Sequence, residues 1–190
     1  MTPEEFVERI KKGLIKPETR GGAVIMVDEQ KGEYGFEFYK LEDLPQRISV
    51  KRDRAYLEKA VPWYPIYFDL IVGSKMDKGI PIKSIRCRVK CNYIPLQVID
   101  WRQGDEFATN GLEVRGIRSL PALSETRISI PFNPYICPKI PEGNRWDLDG
   151  YVEFDSPLGE FKKHFSLDFY KLREEDWQIL FPLKVSKLEI

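Results

Sequence analysis

Between Ser84 and Tyr93 the residues alternate without interruption: Ile85, Cys87, Val89, Cys91 and Tyr93 share one parity, and Ser84, Arg86, Arg88, Lys90 and Asn92 the other. A period of two is that of a β-strand with one face in a core and one in water, the usual arrangement in an antiparallel sheet. Whatever else the chain does, it must give this strand neighbours and cover its apolar side.

Other segments supply the neighbours. Residues 23–27 and 34–41 flank a turn-forming stretch, Asp28-Glu29-Gln30-Lys31-Gly32-Glu33, and predict a hairpin. Residues 53–60 have the local character of one or two helical turns. Residues 63–72 predict an aromatic-rich strand, placed at an edge or a bulge by its neighbouring prolines. Further strands are predicted at 96–101, 112–117, 126–132 and 150–155. The turn Ser156-Pro157-Leu158-Gly159 leads into another at 160–170, where Phe161, Phe165, Leu167 and Phe169 share a parity, and a last strand is expected at 177–185. So little helix lies between strands that parallel crossovers are excluded. The expected class is mainly β, an antiparallel β-sandwich. From about residue 80 to 172 the strand rhythm resembles that of immunoglobulin domains, without their Cys…Trp…Cys spacing, so the likeness is one of architecture.

The amino end predicts a short helix over residues 1–14. Thr2 and Glu5 form a capping box, Pro3 sits where its missing N–H costs nothing, and Met1 and Phe6 have the spacing of a hydrophobic staple. Phe6, Val7, Ile10 and Leu14 make one apolar face, and Gly13 ends the helix. At about three turns it needs something to dock on. One domain over residues 1–190 is the simplest organisation, with residues 1–79 as the alternative N-terminal subdomain.

Thirty basic and thirty acidic residues cancel, so no global field favours nucleic acid or an anionic membrane. The start, Met1-Thr2-Pro3-Glu4-Glu5, is acidic where a secretory signal is basic. The most apolar stretch, 61–72, is broken by Pro62, Pro65 and Asp69 and falls short of the ~20 residues of a spanning helix. A cytoplasmic location follows as the expectation. Cys87 and Cys91, four residues apart on one strand, are about 13 Å from each other and cannot bridge. With Cys137 they read as buried thiols rather than a disulfide framework.

Catalytic signatures are sparse. His164 is the one histidine, and its alternation with Phe165 turns it to solvent. Cys87, Cys91, Cys137 and His164 have the wrong spacing for zinc. Asp147, Asp149 and Glu153, around Gly150, fail the calcium-loop pattern, since Arg145 and Ser156 would fill its first and twelfth positions; they read as a polar loop entering a strand. There is no nucleophile elbow, phosphate-binding loop or dinucleotide fingerprint, and no cofactor is implied.

Two surfaces attract a binding hypothesis. Lys83, Arg86, Arg88 and Lys90 put a basic stripe on the outer face of the best strand, suited to phosphates or an acidic partner, or simply a solvated face that blocks edge pairing. Trp63, Tyr64, Tyr67 and Phe68 crowd one short stretch, with Trp101 and Trp146 elsewhere; exposed, such rings stack on sugars or anchor a protein, and buried, they are core. The leading expectation is a non-enzymatic binding or assembly module whose partner is another protein or a second copy of the chain. Carbohydrate or small-ligand binding and a carboxylate-dependent hydrolase are the alternatives.

Overall fold

A computed structural model of the chain describes residues 3–20, 23–28, 32–38, 41–59, 64–116, 118–137, 140 and 145–170. Met1, Thr2, Trp63 and the strand expected at 177–185 lie outside them. The chain divides into two compact units, Met1–Gln46 and Arg47–Ile190.

The first unit opens with helix α1 (Pro3–Lys11), whose first turn carries Glu4 and Glu5 and whose last carries Arg9 and Lys11, matching the helix dipole at both ends. Gly13 closes it at φ +67° while its N–H bonds back to the Ile10 carbonyl, as the sequence predicts. The apolar face is only partly sheltered, however: Phe6 is half-buried, and Val7 and Ile10 are exposed. Strands β1 (Ile15–Arg20), β2 (Ala23–Asp28) and β3 (Gly32–Phe38) form an antiparallel sheet in that order. β1 is a strand the sequence hides, because Pro17 interrupts it. A proline is tolerated there because, among the described strands, β1 stands at the edge and pairs with β2 alone. A 3-10 turn (Leu41–Asp43) and the short helix α2 (Leu44–Arg47) follow.

The second unit contains β4 (Ile48–Leu57), β5 (Ile66–Ser74), β6 (Ile80–Cys91), β7 (Ile94–Arg102), the two-residue strands β8 (Arg115–Gly116) and β9 (Ser119–Leu120), β10 (Glu125–Phe132), β11 (Arg145–Ser156) and β12 (Gly159–Tyr170). One sheet has the order β4-β5-β10-β8 and the other β12-β11-β6-β7, with β9 pairing β6; every pairing is antiparallel. The class is therefore mainly β and antiparallel, with short helices. Inward residues of both sheets meet at aromatic rings. Phe68 of β5 lies 5.8 Å from Trp146 of β11 and 5.2 Å from Phe169 of β12, and Phe132 of β10 lies 5.2 Å from Trp146. Their offset and edge-on geometries suit the ring quadrupoles. At the sheet margins, the Arg52 guanidinium of β4 donates to the Asp168 carbonyl of β12 at 2.8 Å.

Several expectations are corrected. Of the helical turns predicted at 53–60, residues 53–57 are strand and residue 60 lies outside the described residues: β4 pairs with β5 through Leu57, absorbing an irregularity between Arg52 and Ala55. β5 is not an edge, since Pro62 and Pro65 precede its first residue and it runs between β4 and β10. β11 begins at Arg145 rather than Gly150, so Asp147 and Asp149 stand in a strand and not a loop. Of the strand expected at 112–117, residues 112–114 are not strand, Arg115–Gly116 are, and residue 117 lies outside the described residues. In β6, Ile85, Cys87, Val89 and Cys91 are buried as predicted, but Tyr93 leaves the pattern. It is 67% exposed, because the strand ends at Cys91 and Asn92-Tyr93 form the two-residue turn into β7. No helix among the described residues is long and apolar enough to cross a membrane.

Candidate functional site

The stripe on β6 faces outward, and its charges meet charges from strands distant in sequence. Register places Ser84 between Arg102 of β7 and Glu153 of β11, Arg86 between Asp100 and Tyr151, Arg88 between Val98 and Asp149, and Lys90 between Pro95 and Asp147. Lys83 pairs with Glu160 and Lys90 with Asp149, while Arg86 Nε lies 4.0 Å from Asp100. Lys90, followed by the Ser166 hydroxyl, holds the Asp149 carboxyl below its ordinary range. Much of the stripe is thus a charge-balanced face rather than a uniform positive field.

A groove of about 510 Å³ opens on this face above Ser84. Its walls include Arg86 and Asp100, Arg102 and Gln103, and Tyr151, Glu153 and Lys162. The Ser84 hydroxyl donates to Glu153 at 2.7 Å, and Lys162 Nζ sits 3.8 Å from Glu153 and 4.4 Å from the Tyr151 ring centre. His164 is exposed and lies edge-on to Tyr151 at 5.6 Å. Asp147, Asp149 and Glu153 each face a cation, Arg145, Lys90 and Lys162 respectively.

The aromatic stretch takes a different form from an open stacking platform. Tyr67 is 2% exposed and lies on the outer face of the first sheet. Tyr56 stacks on it at 5.6 Å, and the Arg115 guanidinium lies 4.2 Å from its ring centre. Burial, the largest influence, raises the pKa of its phenol, and nearby Arg115 opposes that. Tyr64 is half-buried, and Phe68, Trp101 and Trp146 are core. Beside Tyr67, the buried Asp69 accepts from Ser129 Oγ at 2.6 Å and Arg54 Nε at 3.0 Å, pinning β4, β5 and β10 together. Its carboxylate serves the fold.

A second surface escaped the sequence reading. At the β6–β7 turn Asn92 and Tyr93 both have positive φ, +48° and +66°, as a type I′ turn requires. Glycine is the usual residue at the position Tyr93 occupies. Its ring is held by Arg145, whose guanidinium lies 4.5 Å from the ring centre. Tyr93 and Ile94 are exposed, and so are Tyr135 and Ile136 in the 3-10 turn Pro134–Ile136. Gln97 of β7 ties that turn to the same end of the sheet, donating to the Asn133 carbonyl at 3.2 Å and to Cys137 Sγ at 3.6 Å. The visible signal was Asn92-Tyr93 itself: an asparagine that tolerates a left-handed backbone, beside an aromatic residue that does not favour it.

All three cysteines are free thiols. Burial pushes the Cys87 thiol up to about 12 and Cys91 to about 11, the latter with help from Asp147. Because the thiolate is the nucleophile, both should resist iodoacetamide at pH 8 in the folded protein, while half-buried Cys137 is modified first. Peptide mass spectrometry checks this order; Cys87 labelling as fast as Cys137 in the folded state contradicts it. In denaturant all three should react alike.

No family model matches the chain, and neither does any curated protein. Among solved structures, a Northeast Structural Genomics Consortium target is 7% identical with a TM-score of 0.42, covering 66% of this chain and 86% of its own. A putative late embryogenesis abundant protein is 16% identical with a TM-score of 0.42, over 71% of this chain and 78% of that one. The CooA pilin subunit from enterotoxigenic Escherichia coli is 12% identical with a TM-score of 0.26, over 66% and 99%. Similarity at this level carries no argument about function.

Proposed function

We propose that the chain is a non-enzymatic binding module with an immunoglobulin-like sandwich as its second unit, and that it recognises another protein, or a second copy of itself. The pairing order supports the architectural part. Lettering β4, β5, β6, β7, β8, β10, β11 and β12 as A, B, C, C′, D, E, F and G turns the two sheets into ABED and GFCC′. Free thiols, two of them buried, support a reducing compartment such as the cytoplasm.

The observation that carries the binding reading is the exposure of Tyr93 and Ile94 at the β6–β7 turn and of Tyr135 and Ile136 in the 3-10 turn that Gln97 ties to β7. Apolar side chains gathered at one place on a soluble surface mark interaction sites more often than singly scattered ones do. Tyr93 also holds a backbone conformation that costs an L-residue roughly 1 kcal/mol, which cation–π contact with Arg145 offsets by a similar amount. A glycine would fold there as well, so a bulky ring at the tip serves something beyond the turn. Against sugar stacking, Tyr67 is buried, with Tyr56 stacked on it and Arg115 over its ring; against hydrolysis, Glu153 in the groove already faces Lys162 and accepts from Ser84.

The test is a photo-crosslinking amino acid placed singly at Ile94, Ile136 and, as a control on the other sheet, Lys51. Irradiation in the native host should trap one protein species from Ile94 and Ile136 and none from Lys51. Adding Tyr93→Gly should abolish the crosslink while leaving the thermal midpoint unchanged or slightly raised. Equal trapping from all three positions, or none from any, overturns the reading. A trapped species that is the chain itself identifies a homo-oligomer.

A further inference from the structure

We propose that the groove above Ser84 is a binding site for a single oxyanionic group, the phosphate of a phosphomonoester or a carboxylate, gripped between Arg86 and Arg102. The inference is independent of the hairpin-end surface and concerns the opposite kind of ligand, small and charged.

Four cations line the groove, Lys83, Arg86, Arg102 and Lys162, against two carboxylates, Asp100 and Glu153. Two of the cations are committed, Lys83 to Glu160 and Lys162 to Glu153. The other two differ. Arg86 meets Asp100 only at the 4.0 Å limit, and Arg102 forms no ion pair with a described carboxylate. Because Arg86 stands opposite Asp100 and Arg102 opposite Ser84, the two arginines are diagonal neighbours on one face. Such neighbours are roughly 7–8 Å apart, a span across which two guanidinium forks can converge on one anion.

The space exists because the residue between them is small. Ser84 is buried and its hydroxyl is turned to Glu153, so the floor of the groove is a short side chain ringed by long ones. Guanidinium suits this role better than ammonium, since its planar donors match two oxygens of a carboxylate or phosphate at once. The volume, about 510 Å³, exceeds what an inorganic anion fills, leaving room for the body of a small molecule against Tyr151 and Gln103. Asp100 and Glu153 in the walls oppose polyanions, which narrows the ligand to one that brings a single anionic group.

Backbone amide NMR of the full chain tests this, titrating inorganic phosphate, acetate and chloride at one ionic strength. Saturable shifts at Ser84, Arg102 and Gln103 are expected with phosphate, acetate or both, and not with chloride. Phosphate alone identifies a phosphoester ligand; acetate alone, a carboxylate. Arg102→Gln should weaken the titration about tenfold or more, as the loss of a charge-assisted pair implies. Arg88→Gln, on the same strand outside the groove, should leave it unchanged. Arg102 is exposed, so its replacement leaves the spectrum folded. Shifts that chloride reproduces, shifts that survive Arg102→Gln, or no shifts at all overturn the proposal.

Discussion

Replacing Trp146 by alanine should cost about 3–5 kcal/mol, the range for a buried aromatic truncated to a methyl group. Trp146 is fully buried on β11, with Phe68 on one side and Phe132 on another, so its indole fills the space where the two sheets meet. Rings fixed by three different strands cannot collapse inward without moving those strands, and the cavity therefore persists. Against the 5–15 kcal/mol of an ordinary domain, the loss is a fifth or more of the total. Far-UV circular dichroism in urea is the appropriate readout, because fluorescence would lose one of the four tryptophans. A fall in midpoint at constant slope is expected, with Trp146→Phe losing far less. A loss under 1 kcal/mol for the alanine variant would show that the sheets do not depend on this contact.

That Trp146 is core and Tyr67 is not an open platform follows from neighbours that sequence does not name. Periodicity gives the strand and its parity, which is why β6 and β12 were legible to within a few residues. It fails where local preference and tertiary pairing disagree. Residues 53–57, Asp-Arg-Ala-Tyr-Leu, look helical alone, yet β5 supplies a ladder that only an extended β4 can use. β1 was hidden for the reverse reason, since Pro17 forbids a central strand but not an edge.

The candidate sites divide in the same way. The basic residues of β6 were visible as a stripe, but the carboxylates that neutralise Lys83 and Lys90 come from Glu160 and Asp149, 77 and 59 residues further on. Only after that pairing does Arg102, absent from the stripe, emerge as a groove cation whose guanidinium forms no ion pair with a described carboxylate. The hairpin end needed a different observation, since Tyr93 fits the alternation and only its backbone conformation removes it from the strand.

Gly150→Ala should destabilise the second unit by about 3 kcal/mol, near the upper end for overpacking. Gly150 stands in the middle of β11, opposite Cys87 of β6 and Phe165 of β12, where its backbone conformation poses no difficulty for alanine. The obstacle is space. An added Cβ would meet the Arg86 carbonyl oxygen and come within 2.6 Å of the Cys87 Cα, both of them backbone atoms. No side chain can swing away to relieve this, so β6 and β11 must part or slide along the ladder that joins them. Gly79→Ala is the control, because its Cβ would find the nearest atom at 3.4 Å and should change stability by less than about 0.5 kcal/mol. Urea unfolding of the two variants side by side separates close backbone approach from glycine loss in general. The displacement also reaches the groove, since Arg86 rides on the peptide that the new methyl group would push. A Gly150→Ala protein that is still folded should therefore bind the oxyanion more weakly, whereas one with wild-type stability would mean that the strands can yield without cost.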